Sequence, residues 1–439
     1  MSLARCPRCL LTQTPGQELV TLTHQDHALC CPTCGAAYPF SDGILDLRPP
    51  EELDGRETRY TADADEFAAA LDYRSVGAPL LGAAVRERWL RRWLPLGPGK
   101  LILDIGAGDG RFALWSATSG AQIIALDAAP FFADAAVAQL DLALGDVRAL
   151  PFPTGAFDAA YSIDVMEHLD APGLERFFAE AARVVKPGGV FYLYSNTRER
   201  STLWPIIAIW GFLSRLLRRR NIGDFHTDDI RKSDHVKVLT TWPQVVGFAA
   251  YHGLRVEEVR FWNGVFQGLI DNVLVRLGEG LLLGRKAKAK DATTAKATPA
   301  TPSTDGGSSR QLVSRRPAIR LALQALTGLM QLDIILFGGL RSGPFFALLR
   351  KVEPPPLSPK AGGRLPGVFA GLRQQEAESQ GLSAREGPPR DSRQGQAPPS
   401  IGGRGGALTR EDSLRCGWYP GARLDRRLDA RYRGLSRAG

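Results

Sequence analysis

Between residues 100 and 195 the apolar residues come in short continuous runs that end in glycine or in an acidic residue. Runs such as 101–105 and 122–126 are typical of strands that are buried on both faces of a parallel sheet. The segment between them, from Arg111 to Ser119, places Phe112 and Trp115 on one face and predicts a helix. Buried strands that alternate with helices predict an α/β domain.

The first of these runs leads into a glycine-rich turn. Asp104 lies within the strand, and Gly106, Gly108 and Gly110 follow it at alternate positions. Glycines at this place let a ligand approach the backbone at the start of the next helix. The second strand ends in Asp127, where an acidic group can bind both hydroxyls of a ribose. A glycine turn alone is weak evidence, but the order strand, turn, helix, strand and Asp makes a cofactor site the better interpretation.

Residues 98–196 resemble the class I S-adenosylmethionine-dependent methyltransferases, in particular the small-molecule and quinone-biosynthesis group. The resemblance implies that Asp104 to Gly110 form the loop that binds S-adenosyl-L-methionine and that Asp127 contacts its ribose. The resemblance also implies that Asp146 and Val147 lie where members of that family contact the adenine amino group. The match continues, in order, through Leu150-Pro-Phe-Pro153, Phe157-Asp158, the stretch from Tyr161 to Leu169, and Lys186-Pro187-Gly188-Gly189.

The resemblance also implies a Rossmann-like, seven-stranded sheet of the α/β class. Residues 241–252 predict an amphipathic helix, and 254–262 predict a strand. One further strand should run antiparallel, and 343–352 fits because proline suits the first residue of a strand. We therefore expect a methyltransferase domain over 53–352, with 263–342 as a helical and linker insertion before the last strand.

Two histidines are the candidate catalytic residues. Methyl transfer requires an aligned donor and acceptor, and an oxygen acceptor usually also needs a general base. His168 follows the fourth strand, and His235 precedes the helix that family members fold over the acceptor; His226 lies in the same long loop. Asp164, at the end of the fourth strand, is expected to shape the cofactor pocket rather than to move a proton. Alternatively, each histidine is hydrogen-bonded locally and only holds its loop.

Five of the six cysteines lie in the first 34 residues, which argues against a disulfide scaffold and for a metal site in a reducing compartment. Cys6 and Cys9 form one CxxC pair, and Cys31 and Cys34 form the second. Four thiolates in two such turns can close a tetrahedral shell around zinc, so we expect a zinc ribbon over 1–48 with a structural role. Cys31 is preferred over Cys30 because it keeps the two-residue spacing. A degenerate ribbon without metal is the alternative.

The formal charge of +9 is concentrated in two segments. Residues 354–439 hold 15 Lys and Arg against 8 Asp and Glu, and residues 285–320 hold 9 against 2, which leaves −5 for the remainder. The region 353–439 is rich in Pro, Gly and Arg without sustained periodicity, so it predicts a disordered basic tail. Residues 285–310 predict a solvated linker.

Two apolar stretches lie outside the methyltransferase pattern. Residues 203–213 are followed by Arg215, Arg218, Arg219 and Arg220, and residues 321–340 follow a smaller basic group. Aromatic and aliphatic residues that end in an arginine cluster suit a helix at an anionic bilayer surface. The alternatives are a lid over the acceptor pocket, in which the two stretches pack on each other, and a dimer interface. No stretch reaches about 18 uninterrupted apolar residues, so we expect no membrane span, and the polar N-terminal region predicts no secretory signal.

These features favour a cytoplasmic methyltransferase, peripheral to the inner membrane, whose acceptor is a small or lipid-linked molecule such as a glycan, quinone or polyketide-like compound. The second hypothesis is an RNA base methyltransferase, since ribosomal RNA guanine methyltransferases also combine four N-terminal metal ligands with this fold. Outside the two basic segments the chain has a net charge of −5 and therefore offers no broad basic face, so nucleic acid is the disfavoured partner. A third hypothesis, a non-catalytic scaffold, is disfavoured by the intact glycine loop.

Overall fold

The computed structural model describes residues 3–12, 19–25, 28–49, 76–220, 222, 235–278 and 317–352. The predicted linker at 285–310 and the predicted tail at 353–439 lie outside the described residues, and so does His226.

The N-terminal segment forms a small antiparallel ribbon. After helix α1 (Pro7–Thr12) come the strands β1 (Thr23–Gln25), β2 (Ala28–Cys30), β3 (Ala37–Ser41) and β4 (Ile44–Asp46), each paired with the next. The buried residues of the ribbon include Cys6, Cys31, Tyr38 and Leu45, so its small core is made of sulfur, one aromatic ring and aliphatic groups.

Seven further strands form the central sheet. They are β5 (Leu101–Ile105), β6 (Gln122–Asp127), β7 (Asp141–Leu144), β8 (Phe157–Ile163), β9 (Val185–Asn196), β10 (Leu254–Phe261) and β11 (Pro344–Lys351). Their spatial order is β7-β6-β5-β8-β9-β11-β10. The first five are parallel, and β11 runs antiparallel to both of its neighbours. This confirms the Rossmann-like seven-stranded sheet and its antiparallel last strand.

Helices cover both faces of this sheet. One face packs against α5 (Ala171–Val184) and α7 (Trp242–Tyr251), with Phe177, Phe178 and Phe248 in its core. The other face packs against α2 (Leu81–Trp93), α3 (Arg111–Ala117) and α4 (Asp134–Gln139). Burial of this apolar area on both faces is the main force that holds the three layers together.

The ribbon is continuous with the central sheet. Strand β4 pairs in parallel with β7, with Leu45 opposite Ala143, and the Leu47 amide donates to the Leu144 carbonyl at 2.8 Å. The sequence placed the ribbon as a small unit ahead of the catalytic domain, whereas the structure adds its strands to the sheet. The pairing covers the outer edge of β7, whose backbone groups would otherwise remain exposed.

The remaining helices form a layer on the side of α2. Helix α6 (Trp204–Arg219) follows β9, and α8 (Val265–Leu269), a π-helical turn (Ile270–Leu274) and α9 (Pro317–Phe337) lie between β10 and β11. Buried Asp333 of α9 accepts hydrogen bonds from the amides of Phe266 at 2.8 Å and Gln267 at 2.7 Å. These bonds and the buried Met330 fix one side of α9 to the domain.

Helix α9 is also the one helix among the described residues that is long and apolar enough to cross a membrane by length and composition. It has 21 residues, and its best window has a mean hydropathy of 1.4 with 22% of that window buried. The sequence-based expectation of no membrane span considered only uninterrupted apolar runs. Helix α9 nevertheless has a high mean hydropathy, because Gln324, Gln331 and Asp333 are isolated among aliphatic residues.

Candidate functional site

The glycine loop links the end of β5 to α3. Two of its glycines, Gly106 and Gly108, have different surroundings. Gly106 has φ +78°, and a Cβ at this position would lie 2.3 Å from Val165 Cγ2. Gly106 is therefore required by packing against the end of β8. Gly108 has φ +57°, but a Cβ there would meet nothing within 4 Å. The open space beside Gly108 is where a ligand can approach the backbone of the loop.

Asp127 is held against this loop. Its Oδ2 accepts a hydrogen bond from the Gly108 amide at 2.7 Å, and its Oδ1 accepts one from the Ala129 amide at 2.9 Å. Burial raises the pKa of Asp127, although these amide bonds act in the opposite direction. The predicted ribose-binding carboxylate thus lies beside the predicted cofactor loop, at the carboxyl ends of adjacent parallel strands.

Asp104 and Asp109 have supporting positions. Asp104 is buried within β5, and burial, followed by the charges of Asp127 and Asp109, raises its pKa well above the usual range. Asp109 lies in the loop and accepts from Arg111 Nε at 2.8 Å, so the acidic residue in the loop is paired with the first residue of α3. Asp104 and Asp109 therefore build the loop from inside the protein.

Asp146 and Val147 follow β7, next in the same row of strand ends. Asp146 forms an ion pair with Arg148, with 2.7 Å between Oδ2 and Nη2, and both side chains are partly exposed. Val147 packs against the core on the side of α5. Gly108, Asp127 and Asp146 thus follow three neighbouring strands, in the order expected for the methionine, ribose and adenine parts of the cofactor.

Arg86 of α2 meets Asp164 at the end of β8, a contact that the sequence did not predict. Their side chains form an ion pair, and Arg86 Cζ lies 4.9 Å from the centre of the Tyr194 ring. Burial lowers the pKa of the Arg86 guanidinium, but the combined charges around it, with Asp164 contributing most, raise that pKa above its usual value. Asp164 has φ +58°, which is unusual for a residue with a side chain. The predicted pocket residue is thus held in a strained turn by a cation from the covering helix.

The two candidate catalytic histidines lie together. His168 ends the short 3-10 helix Met166–His168, and His235 comes from the loop before α7. Their ring centres are 4.8 Å apart and the ring planes are nearly perpendicular. The backbone carbonyl of Glu167 accepts the amides of Val236 at 2.8 Å and Lys237 at 3.0 Å, which fastens the His235 loop to the end of β8.

Glu167 is the residue of this site that the sequence did not single out. It is fully buried, and its carboxylate accepts from Ser195 Oγ at 2.5 Å and from Asn196 Nδ2 at 2.9 Å. Burial, followed by the charge of Asp164, raises the pKa of Glu167 to about 7, while His168 and Ser195 act in the opposite direction. Its position next to His168 after a buried strand was the available signal.

The four predicted zinc ligands form one cluster. Cys6 Sγ lies 3.6 Å from Cys34 Sγ, Cys9 Sγ lies 3.7 Å from Cys31 Sγ, and all four sulfurs lie within 4.8 Å of one another. Zinc–sulfur bonds of about 2.3 Å give a tetrahedron with edges of about 3.8 Å, so the sulfurs are spaced for such an ion. The amides of Cys9 and Cys34 point to the first sulfur of their own pair at 3.4 and 3.5 Å. This donor set fits a closed zinc site.

Comparison with known proteins supports the central assignment. Residues 103–193 match the family model described as a methyltransferase domain. With the strand order and the glycine loop, this match shows that the chain carries a class I S-adenosylmethionine-dependent methyltransferase domain.

Similar proteins share this domain rather than the whole chain. An uncharacterized methyltransferase of Synechocystis sp. is 33% identical over 121 residues, which are 27% of this chain and 57% of that protein. A sterol 24-C-methyltransferase of Gibberella zeae is 34% identical over 131 residues, which are 27% of this chain and 34% of that protein. The chain thus spans about a third to a little over half of the length of these relatives.

Two solved structures are similar at lower identity. The Haemonchus contortus phosphoethanolamine N-methyltransferase 2 in complex with S-adenosyl-L-methionine has 18% identity and a TM-score of 0.38, over 78% of this chain and 71% of that one. A geranyl diphosphate methyltransferase has 13% identity and a TM-score of 0.34, over 62% of this chain and 78% of that one.

Proposed function

We propose that this protein transfers the methyl group of S-adenosylmethionine to a small-molecule or lipid-linked acceptor. The observation that carries the proposal is the row formed by Gly108, Asp127 and Asp146 at the carboxyl ends of β5, β6 and β7. In open α/β sheets, ligands bind beyond these strand ends. Open space at Gly108 and the two carboxylates offer complementary contacts to the methionine, ribose and adenine parts of the cofactor.

In the proposed reaction the nucleophilic atom of the acceptor attacks the methyl carbon in line with the sulfur. The S–CH₃ bond breaks as the new bond to the acceptor forms, and the sulfonium becomes the neutral thioether of S-adenosylhomocysteine. For a hydroxyl acceptor, the proton passes to His168 or His235, which lie at the end of the neighbouring strand β8. Glu167, packed beside the histidine pair, positions them through its contacts with β9.

An apolar or lipid-linked acceptor agrees with the surface of the helical layer. The outward face of α6 carries Trp204, Ile209, Phe212 and Leu216, and Phe212 is 60% exposed. On α9, Leu321, Leu332, Ile335 and Leu336 are exposed along one side, opposite the buried Met330 and Ile334. Exposed apolar surface of this extent is typical of interaction sites. The sterol methyltransferase relatives are consistent with a lipid class of acceptor.

We further propose that this surface contacts the anionic inner face of a membrane. The last turn of α6 carries Arg218 and Arg219, and exposed Arg215 and Arg220 flank them. Cations beside an apolar helix face suit anionic lipid head groups. The inner side of α6 is occupied, since Trp210 packs beside Gly268 of α8, which leaves the outward side for the bilayer. Helix α9 is fastened to the domain through Asp333, which favours a position along the membrane surface over a crossing of it.

For the ribbon we propose one structural zinc ion held by Cys6, Cys9, Cys31 and Cys34. Four thiolates leave no open coordination position, so the ion supports the fold and takes no part in methyl transfer. Through the pairing of β4 with β7, the ribbon supports the strand that leads to Asp146.

Calorimetry with S-adenosylmethionine tests the central proposal. The full chain is expected to bind one cofactor, and Asp127→Ala is expected to lose most of this affinity, because its carboxylate also holds the Gly108 amide. Mass spectrometry of extracts from a deletion strain should then reveal acceptors that are lighter by one methyl group. A wild-type chain that binds no S-adenosylmethionine would contradict the proposal and revive the non-catalytic scaffold.

A further inference from the structure

Three side chains of metal-ligand type meet beside the proposed acceptor position, away from the cysteine ribbon. Glu167 and His168 come from the turn after β8, and His235 comes from the loop before α7. One ligand atom from each lies within 4.8 Å of the other two. Among the described residues, this and the cysteine cluster are the two groups with such spacing.

The group is built from long-range contacts rather than from sequence neighbours alone. The carboxylate of Glu167 is oriented by Ser195 and Asn196 at the end of β9. The main chain of Glu167 binds the two residues that follow His235. The carboxylate and both imidazole rings are therefore positioned by the same turn, whose own backbone is fixed by two strands.

We propose that Glu167, His168 and His235 bind a divalent first-row metal ion. Two imidazoles and one carboxylate are a ligand set that such ions accept, and three protein ligands leave coordination positions open. Bonds of about 2.1 Å place ligand atoms about 3–4 Å apart, so the observed cluster requires only a small closure of the side chains. The carboxylate of Glu167 already accepts hydrogen bonds from Ser195 and Asn196, which is typical of metal ligands held by an outer layer of hydrogen bonds.

The open positions would face the acceptor, and this part of the inference rests on the proposed function. A bound ion lowers the pKa of a coordinated hydroxyl and orients the oxygen that attacks the methyl group. Imidazoles bound to the ion no longer act as the base proposed for His168 or His235, so the hydroxyl proton passes to water while the O–CH₃ bond forms and the S–CH₃ bond breaks. The substrate class that fits is an acceptor with an ionisable oxygen, such as an enol or a phenol, rather than a carbon nucleophile.

Binding of Mn²⁺ to the full chain tests the metal site directly. Mn²⁺ prefers oxygen and nitrogen ligands, so it does not compete well for a four-cysteine site that already holds zinc. We expect about one Mn²⁺ per chain, measured by electron paramagnetic resonance of the free ion. His235→Ala and Glu167→Gln should weaken binding by about tenfold or more.

The matched control is His24→Ala, which removes a histidine on the exposed strand β1 and should leave Mn²⁺ binding unchanged. His235→Ala is the deciding variant, because Glu167 also holds Ser195 and Asn196 and its replacement can unfold the site. The inference is overturned if the wild-type chain binds no Mn²⁺. It is also overturned if the His235→Ala variant binds Mn²⁺ as tightly as the wild-type chain does.

Cofactor calorimetry separates this failure from failure of the proposed function. A chain that binds S-adenosylmethionine but no Mn²⁺ contradicts the metal site alone. A chain that binds Mn²⁺ but no S-adenosylmethionine supports the site and contradicts methyl transfer.

Discussion

Gly106 and Val165 meet where strands β5 and β8 end, so closely that a Cβ on Gly106 would lie 2.3 Å from Val165 Cγ2. The glycine loop is thus packed against the turn that carries Asp164, Glu167 and His168. A displacement of either segment is transmitted to the other because there is no free space between them.

Alanine substitutions should separate the packing glycine from the ligand-facing glycine. Gly106→Ala is expected to lower the free energy of unfolding by about 2–4 kcal/mol, since it combines a left-handed φ with a steric overlap. Gly108→Ala has open space around it and should cost only about 1–2 kcal/mol, yet it should reduce cofactor affinity. Urea denaturation and calorimetry with S-adenosylmethionine measure the two effects.

The same pair allows a rescue experiment. Val165→Ala in the Gly106→Ala background should recover part of the lost stability, because it removes the overlapping methyl groups but not the φ penalty. If Gly106→Ala lowers the free energy of unfolding no more than Gly108→Ala, the structure has room for a methyl group between Gly106 and Val165.

Loss of the ribbon metal should loosen the edge of the central sheet. Cys34→Ser is expected to reduce the zinc content from about one ion per chain and to speed hydrogen exchange of the Leu47 amide, which bonds the Leu144 carbonyl. Cofactor affinity should fall as well, because β7 leads directly to Asp146. His24→Ala serves as the control that keeps all four sulfurs. Unchanged exchange at Leu47 after zinc loss would show that the ribbon does not support β7.

An aspartate on the outward face of α6 should weaken membrane binding. Phe212→Asp removes an exposed aromatic ring whose burial contributes about 1.5–3 kcal/mol, so sedimentation with anionic vesicles should fall by about tenfold or more. Added salt should weaken binding of the parent protein, because the flanking arginines contribute. Tyr251→Asp is the matched control, since Tyr251 is 48% exposed on α7, which packs on the opposite face of the sheet.

If Phe212→Asp sediments with vesicles like the parent protein, the membrane proposal fails. A lower molecular mass of the variant in analytical ultracentrifugation would then identify α6 as a dimer interface. RNA in place of vesicles tests the disfavoured partner in the same assay, where a steep loss of affinity with salt would support it.

His252 should make the domain less stable in mild acid. Burial lowers its pKa from 6.5 to about 4, and its ring stacks on Phe178. Because the folded state binds the proton less readily than the unfolded state, stability falls as the pH drops from about 6.5 to about 4, and His252 causes no further loss below that range. His252→Phe keeps an aromatic ring and should flatten this part of the stability profile, measured by denaturation at several pH values. The control variant His24→Phe, on exposed β1, should leave the pH dependence of stability unchanged. If His252→Phe also leaves it unchanged, His252 is not the cause of the loss of stability in mild acid.

Local patterns were sufficient to predict which residues of the candidate site lie together. The proximity of Asp104, the glycine loop and Asp127 could be predicted because the strand, turn, helix and strand in the 27 residues from Leu101 to Asp127 have a nearly obligatory geometry. The four cysteines could be paired for the same reason, since each CxxC turn sets the spacing of its two sulfurs. Arg86 could not be assigned a role, because its partner Asp164 comes from a strand on the other side of the glycine loop.

The sequence by itself determined the class of the domain, the position of its glycine loop and the candidate metal ligands, because each depends on short-range spacing. Tertiary structure decided that His235 joins Glu167 and His168, that β4 extends the sheet beside β7, and which sides of α6 and α9 remain exposed. These outcomes depend on how distant segments pack and which strand edges they pair. Apolar periodicity predicts that one face of a helix or strand will be buried, but only the assembled fold determines which element packs against that face.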